Sequence, residues 1–361
     1  MSITCLAKWH QKLRKNRILV TGASGFTGSW LTEYLLNSGA TITTLLADWN
    51  PDSYFVSSGI VYRVKNVIGS IEDYNLLEKV ICECGIDTVF HLAAVSVQNL
   101  AFKEPRQSFE INIRGTYNLL EACRVHSDLV KRVIIASSDK VYGDSDVLPY
   151  TEDLPIHGKN PYDVSKSCAD LIAQSYYHSY NLPIVVGRFG NIYGGGDLNW
   201  SRLIPNTIRC LVNHERPLVR IPDQGSFRRD FLYVKDLVYA YMAMFEGLAR
   251  PEIHGQAFNF GTGSCWTVLE IVRKIQKQMN LELIEPIIVP QSNGEILHQQ
   301  VSAEKAKKEL GWDANYSLDE GLAETIDWYR QILSPRMSPK LETRNLPNLV
   351  EGNISAREEG L

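Results

Sequence analysis

Tyr162 and Lys166 stand four residues apart, and Ser138-Asp139-Lys140 precede them by one loop. On a helix, residues four apart share a face, so the phenol and the amine project into one space. A phenol ionises near pH 10 in water; a fixed cation beside it lowers that value, and so does the charge of an oxidised nicotinamide. Tyr162 and Lys166 could thus run oxidation and reduction on such a cofactor. The earlier triplet adds an acid and a base that simple hydride transfer does not need. Together the five residues suggest oxidation, elimination and reduction in one pocket. Each half also has a plainer reading, since such pairs arise by chance on helices and an Asp-Lys pair in a loop is often merely solvated.

The elements around these residues favour the chemical reading. Arg132 to Ser137 (RVIIAS) is a short apolar, β-branched run that predicts a buried strand, with Gly143 marking a turn beyond it. In an open α/β sheet ligands bind beyond the carboxyl ends of strands, where Ser138, Asp139 and Lys140 fall. Neighbouring strand residues point to opposite faces, so Asp139 and Lys140 both reach a substrate only if the strand has ended. Asn160-Pro161 marks a helix start, because proline is tolerated in the first turn. Tyr162 then lies near the helix mouth.

Near the amino terminus, Arg17 to Val20 predicts a strand and Ser29 to Asn37 a helix, with Gly22-Ala23-Ser24-Gly25-Phe26-Thr27-Gly28 between them. Strand, glycine-rich turn and helix in that order make a diphosphate cradle: glycines admit the backbone, and the helix N-terminus faces the anion. A second strand, Ala40 to Leu46, leads to Asp48. An acid about 20 positions beyond the glycines accepts bonds from a ribose and repels a 2′-phosphate, which favours NAD over NADP. Asp48 could equally open the Asn50-Pro51-Asp52 turn.

The 361-residue chain has a net charge of −4. Phosphate affinity must then come from local arginines and helix ends, and nothing suggests a nucleic-acid groove. No apolar run reaches membrane-spanning length, and the first residues lack the apolar core of a secretory signal, so the expected place is the cytoplasm. Seven scattered cysteines suggest reduced thiols, and no His or Cys spacing suggests a metal site. Strand and helix patterns alternate from Arg17 to about Leu182, predicting a doubly wound parallel sheet. The expected domains are an extension over 1–16, a cofactor domain over 17–190 with later returns of the chain, a substrate lobe over 191–333, and a flexible tail over 334–361.

In these residues the chain resembles the extended short-chain dehydrogenase/reductase family, most of whose members act on nucleotide-activated sugars. The resemblance spans Arg17 to about Leu333. It rests also on His91-Leu92-Ala93-Ala94, Asn112-x-x-Gly115-Thr116, Arg188-x-x-Asn191-x-Tyr193-Gly194, Arg229-Asp230-Phe231 and Leu310-Gly311-Trp312. It implies a Rossmann domain with a smaller C-terminal substrate lobe. Asp139-Lys140 looks like the acid-base pair of 4,6-dehydratases, and Gly25-Phe26-x-Gly28-Ser29-Trp30-Leu31 with Arg202-Leu203-Ile204-Pro205 looks closest to the CDP-glucose enzymes. Three departures stand out: Ser70-Ile71 where Asp-Ile or Asp-Leu often meets the adenine, Gln299-Gln300 where a basic residue commonly follows Glu295, and no arginine in Val95 to Leu100.

The resemblance implies that Ser70, Ile71, Leu92, Ala93 and Ala94 join the cradle and Asp48 around NAD, and that Arg188, Asn191, Arg202 and Arg229 meet the sugar nucleotide with Ser138. Arg188 could equally be a structural partner, and Arg229 could pair with Asp230 or Asp236. The implied chemistry runs from Tyr162 taking the 4-hydroxyl proton, through Lys140 removing the C5 proton or holding the enolate, to Asp139 protonating the departing 6-hydroxyl. A 4-epimerase would need only Ser138, Tyr162 and Lys166. A homodimer through helices near Ser108 to Val125 and Pro161 to Tyr180 is implied as well, although their apolar positions could simply face the sheet.

Overall fold

The computed structural model describes residues 13–222, 226–291 and 295–333, together with a two-residue strand at 349–350. From the amino terminus run β1 (Arg17–Thr21), α1 (Phe26–Asn37), β2 (Thr41–Leu46), β3 (Lys65–Ile68), α2 (Tyr74–Cys84) and β4 (Thr88–His91). Then come α3 (Gly115–Val125), β5 (Arg132–Ser138), α4 (Pro161–Tyr180) and β6 (Ile184–Phe189). β1 pairs in parallel with β2 on one side and β4 on the other, so the chain reverses its winding direction there. A cleft opens at such a switch point.

Alternate residues of each strand feed opposite faces, as a parallel sheet covered on both sides requires. Ile18, Val20, Phe90, Ile134 and Val185 join one apolar cluster, with Leu31 and Leu35 of α1. Leu19, Val89, Val133, Ile135 and Val186 join the other, with Leu77 of α2 and Leu119 of α3.

Beyond β6 the chain builds the second lobe from β7 (Asn191–Tyr193), α5 (Leu203–Val212), β8 (Leu218–Ile221) and β9 (Arg228–Tyr233). It then returns to the first domain with α6 (Val234–Gly247) and β10 (Ala257–Phe260), which pairs in parallel with β6 as a seventh strand. The lobe is completed by β11 (Cys265–Thr267), α7 (Val268–Met279), β12 (Ile287–Pro290), β13 (His298–Gln299) and α8 (Leu318–Leu333). α7 carries a Thr267/Glu270 capping box and buries Ile271, Val272, Ile275 and Met279, the spacing of one helical face.

Three boundaries differ from expectation. The fold begins before Arg17: Leu13 is fully buried in the core and Asn16 Nδ2 donates to Asp87. α1 begins at Phe26, because the last cradle residues already form its first turn. The segment near Ser108 to Val125 is divided into a short helix Pro105–Phe109, a π turn Glu110–Arg114 and α3. In the expected tail, Leu349–Val350 pairs in parallel with β3; its other residues lie outside the described ones. No helix among the described residues is long and apolar enough to cross a membrane.

Candidate active site

The cradle requires its glycines. A Cβ on Gly28 would lie 2.1 Å from Gly22 O, and one on Gly22, whose φ is +74°, would lie 2.7 Å from Ala93 N. Thr21 Oγ1 accepts from Ala93 N and meets His91 Nδ1 at 2.8 Å, while His91 Nε2 meets Thr116 Oγ1 at 2.9 Å. Burial, aided by Lys166, pushes His91 down to about 3, so a neutral imidazole staples β1 and β4 to α3. Gly22, Ser24, Gly25, Phe26 and Thr27 line a cleft of about 1350 Å³, with Asp48 at the end of β2. Ser70, Ile71, Leu92, Ala93 and Ala94 also line it. The narrow cradle, the open first turn of α1 and the carboxylate beyond β2 fit a dinucleotide without a 2′-phosphate.

β5 stops at Ser138, and Asp139–Tyr142 turn as a 3₁₀ helix. This ending lets Asp139 and Lys140 both line the cleft, as anticipated. Beside them, Asn160 and Asp163 form a capping box on α4 with Pro161 in its first turn, which sets Tyr162 at the helix mouth. Ser138 hydrogen-bonds Tyr162, and its Oγ also donates to Asp139 Oδ1 at 3.1 Å. Lys166 Nζ donates to Ala136 O at 2.6 Å. Burial brings Lys166 down to about 8 against the pull of Asp170.

Burial pushes Tyr162 up to about 12, opposed by its Ser138 bond and by the Arg202 cation. Arg202 is thus one cation acting on the phenol, and Lys166 lines the same cleft four residues along α4. Asp139 is raised to about 6 by burial, which outweighs Lys140, Ser138 and Arg229. Lys140 is lowered, first by burial and then by Arg229, although Asp139, Glu295 and Asp163 pull it the other way. An acid that holds its proton more tightly than usual and an amine that holds its proton less tightly thus sit side by side, the pattern that suits elimination.

The arginines divide. Arg188 does not line the cleft: its guanidinium grips buried Asp170 through Nε and Nη2 at 2.9 and 3.0 Å, and Nη1 donates to Tyr142 Oη. It is 3% exposed, because a buried carboxylate must be paired and Asp170 also accepts from Ser137. Arg202 stays on the cleft wall, 3.0 Å from Asp197. Arg229 lines the cleft too, paired with Glu295 at 3.2 Å. The acids expected beside it serve elsewhere, since Asp230 caps the Thr262-Gly263 turn and Asp236 accepts from Asn315 and Tyr316. Asn191 lines the cleft with its Nδ2 buried and unpaired among the described residues.

Two contributors escaped the sequence reading although their motifs were noted. Asn112, turned inward by the π turn, accepts from Val95 N and donates to Ser165 Oγ, tying the loop after β4 to α4. Gln299 accepts from Lys140 Nζ at 3.0 Å. Arg220 also lines the cleft, and a lone arginine in a short strand carried no signal.

This cleft sits on a fold whose sequence matches the GDP-mannose 4,6 dehydratase family over residues 19–325, and the chain belongs to that family. Among similar proteins, a CDP-glucose 4,6-dehydratase of Salmonella typhimurium is 28% identical over 87% of this chain and 90% of its own length. The NAD complex of a dTDP-glucose 4,6-dehydratase from Bacillus anthracis superposes with a TM-score of 0.77, at 29% identity over 88% of this chain and 97% of that one. A UDP-glucose 4-epimerase from Thermotoga maritima, with UDP-glucose, gives 0.78 at 28% identity, over 88% of this chain and all of that one.

Proposed function

We propose that this protein is an NAD-dependent lyase that removes water from a nucleotide-activated hexose, with CDP-glucose as its foremost substrate. The product is the 4-keto-6-deoxy sugar. The observation that carries the reading is the buried Asp139-Lys140 pair, its acid raised and its base lowered, on the wall that also holds Tyr162. A 4-epimerase has no use for such a pair. CDP-glucose rests on the glycine-turn and Arg202-Leu203-Ile204-Pro205 motifs, and the similarity to the Salmonella enzyme supports it.

NAD, held by the glycine cradle and Asp48, would supply hydride acceptance and return together with a positive charge, at a site where burial otherwise keeps Tyr162 protonated. Tyr162 takes the 4-hydroxyl proton while Ser138 holds that oxygen. The C4 ketone acidifies C5; Lys140 removes the C5 proton and, after exchange with solvent, returns a proton to C5 as hydride reaches C6. Asp139 gives its proton to the departing 6-hydroxyl, which leaves as water. Arg229, Arg202 and Asn191 bind the diphosphate and sugar, and Asp48 takes the adenosine ribose. The protein acts as a homodimer through α3 and α4, whose outward Tyr117, Val125, Leu171 and Tyr180 are exposed.

Incubation with CDP-, UDP-, dTDP- and GDP-hexoses in deuterated water, read by mass spectrometry, tests this. Loss of water with one deuterium gained is expected for CDP-glucose. Unchanged mass with a new sugar isomer would move the protein to the epimerases.

A further inference from the structure

We propose that Gln299 is a positioning residue for Lys140, a neutral amide that fixes the amine at the cleft wall while leaving it free to lose its proton. The inference rests on the dehydratase reading for its consequence, but its geometry stands alone. Gln299 lies on β13 in register with Arg229 of β9. Its side chain is fully buried, and its backbone oxygen accepts from Cys265 Sγ at 3.2 Å. Oε1 accepts from Lys140 Nζ, 159 positions away in the chain, whereas Nε2 has no partner among the described residues.

A buried amide donor without an acceptor costs stability, so packing alone is a poor reason for glutamine here. An amide has two different ends. Oε1 accepts from the ammonium, and a half-turn of the last torsion would offer Nε2 to the lone pair of the free amine. The same side chain therefore serves both charge states of a base that takes and returns a proton in each turnover. A carboxylate would serve only one. Lys140 already faces Asp139 on its own turn, Asp163 on α4 and Glu295 ahead of β13, with Arg229 on β9 as the opposing cation. Tyr162 and Lys166 stand on the same cleft wall. A further anion would hold the proton in place.

The test uses NAD-loaded wild type, Gln299→Glu and Gln299→Met. Without substrate, acetylation of Lys140 by acetic anhydride is followed against pH by peptide mass spectrometry. The Gln299→Glu midpoint is expected to rise by about one pH unit or more, and the Gln299→Met midpoint to fall, because the ammonium loses its acceptor. With substrate, Gln299→Met should slow C5 deuterium exchange at least about tenfold more than C4 oxidation, read as transient reduced nicotinamide. Unchanged midpoints, or equal loss of both steps, would overturn the proposal. If Gln299→Glu does not fold, the Gln299→Met midpoint decides alone. A wild type that exchanges no C5 hydrogen with any nucleotide hexose removes the dehydratase reading, and the acetylation midpoints still decide the role of Gln299.

Discussion

Lys140 and Asp139 are neighbours whose environments push their proton affinities toward each other, so each has a separable signature. Lys140→Met is expected to lower C5 exchange by roughly 10²- to 10⁴-fold while NAD stays bound and C4 oxidation continues, as transient absorbance would report. Asp139→Asn keeps the shape but has no acidic proton to give; exchange should persist while water loss falls by a similar factor. In the wild type, elimination should slow as pH rises through about 6, because Asp139 then loses its proton. Stability follows the same group. Its folded value lies above the ordinary 3.8, so the folded state binds more protons between that value and about 6, and stability declines as pH rises through this window. Thermal melts at pH 5 and 7.5 should show Asp139→Asn gaining on wild type at the higher pH.

The cradle and the two helix mouths decide whether those residues meet their substrates. Gly28→Ala places a methyl against Gly22 O and must spread β1 from α1, since backbone cannot yield as a flexible side chain does. NAD affinity by calorimetry should fall at least about tenfold, because the helix end no longer reaches the diphosphate. The Asn160-Pro161 start and the buried strands were legible in sequence, being local: a ring-fixed φ and a short β-branched apolar run need only near neighbours. The π turn at Glu110–Arg114 was not, because it is held by Asn112 reaching Val95 and Ser165, contacts made only on folding.

Across the whole molecule, Arg188 joins β6 to α4 through Asp170 and to the turn after β5 through Tyr142. Arg188→Met would leave Asp170 buried and uncompensated, at a cost of about 3–5 kcal/mol by denaturant unfolding. The exposed apolar residues of α3 and α4 carry a test of the proposed homodimer: light scattering should give a dimer for the wild type and a monomer for Leu171→Glu, with the active site left intact. The sequence by itself determined the doubly wound sheet, the cradle and the residues able to do acid-base work, because period, glycine and side-chain chemistry are properties of short segments. Only the tertiary structure decided which arginines line the cleft, that Arg202 acts on Tyr162 and what holds Lys140. Charge pairing and burial depend on residues far apart in the chain, and Arg188, Arg202 and Gln299 differ in what the fold brings beside them.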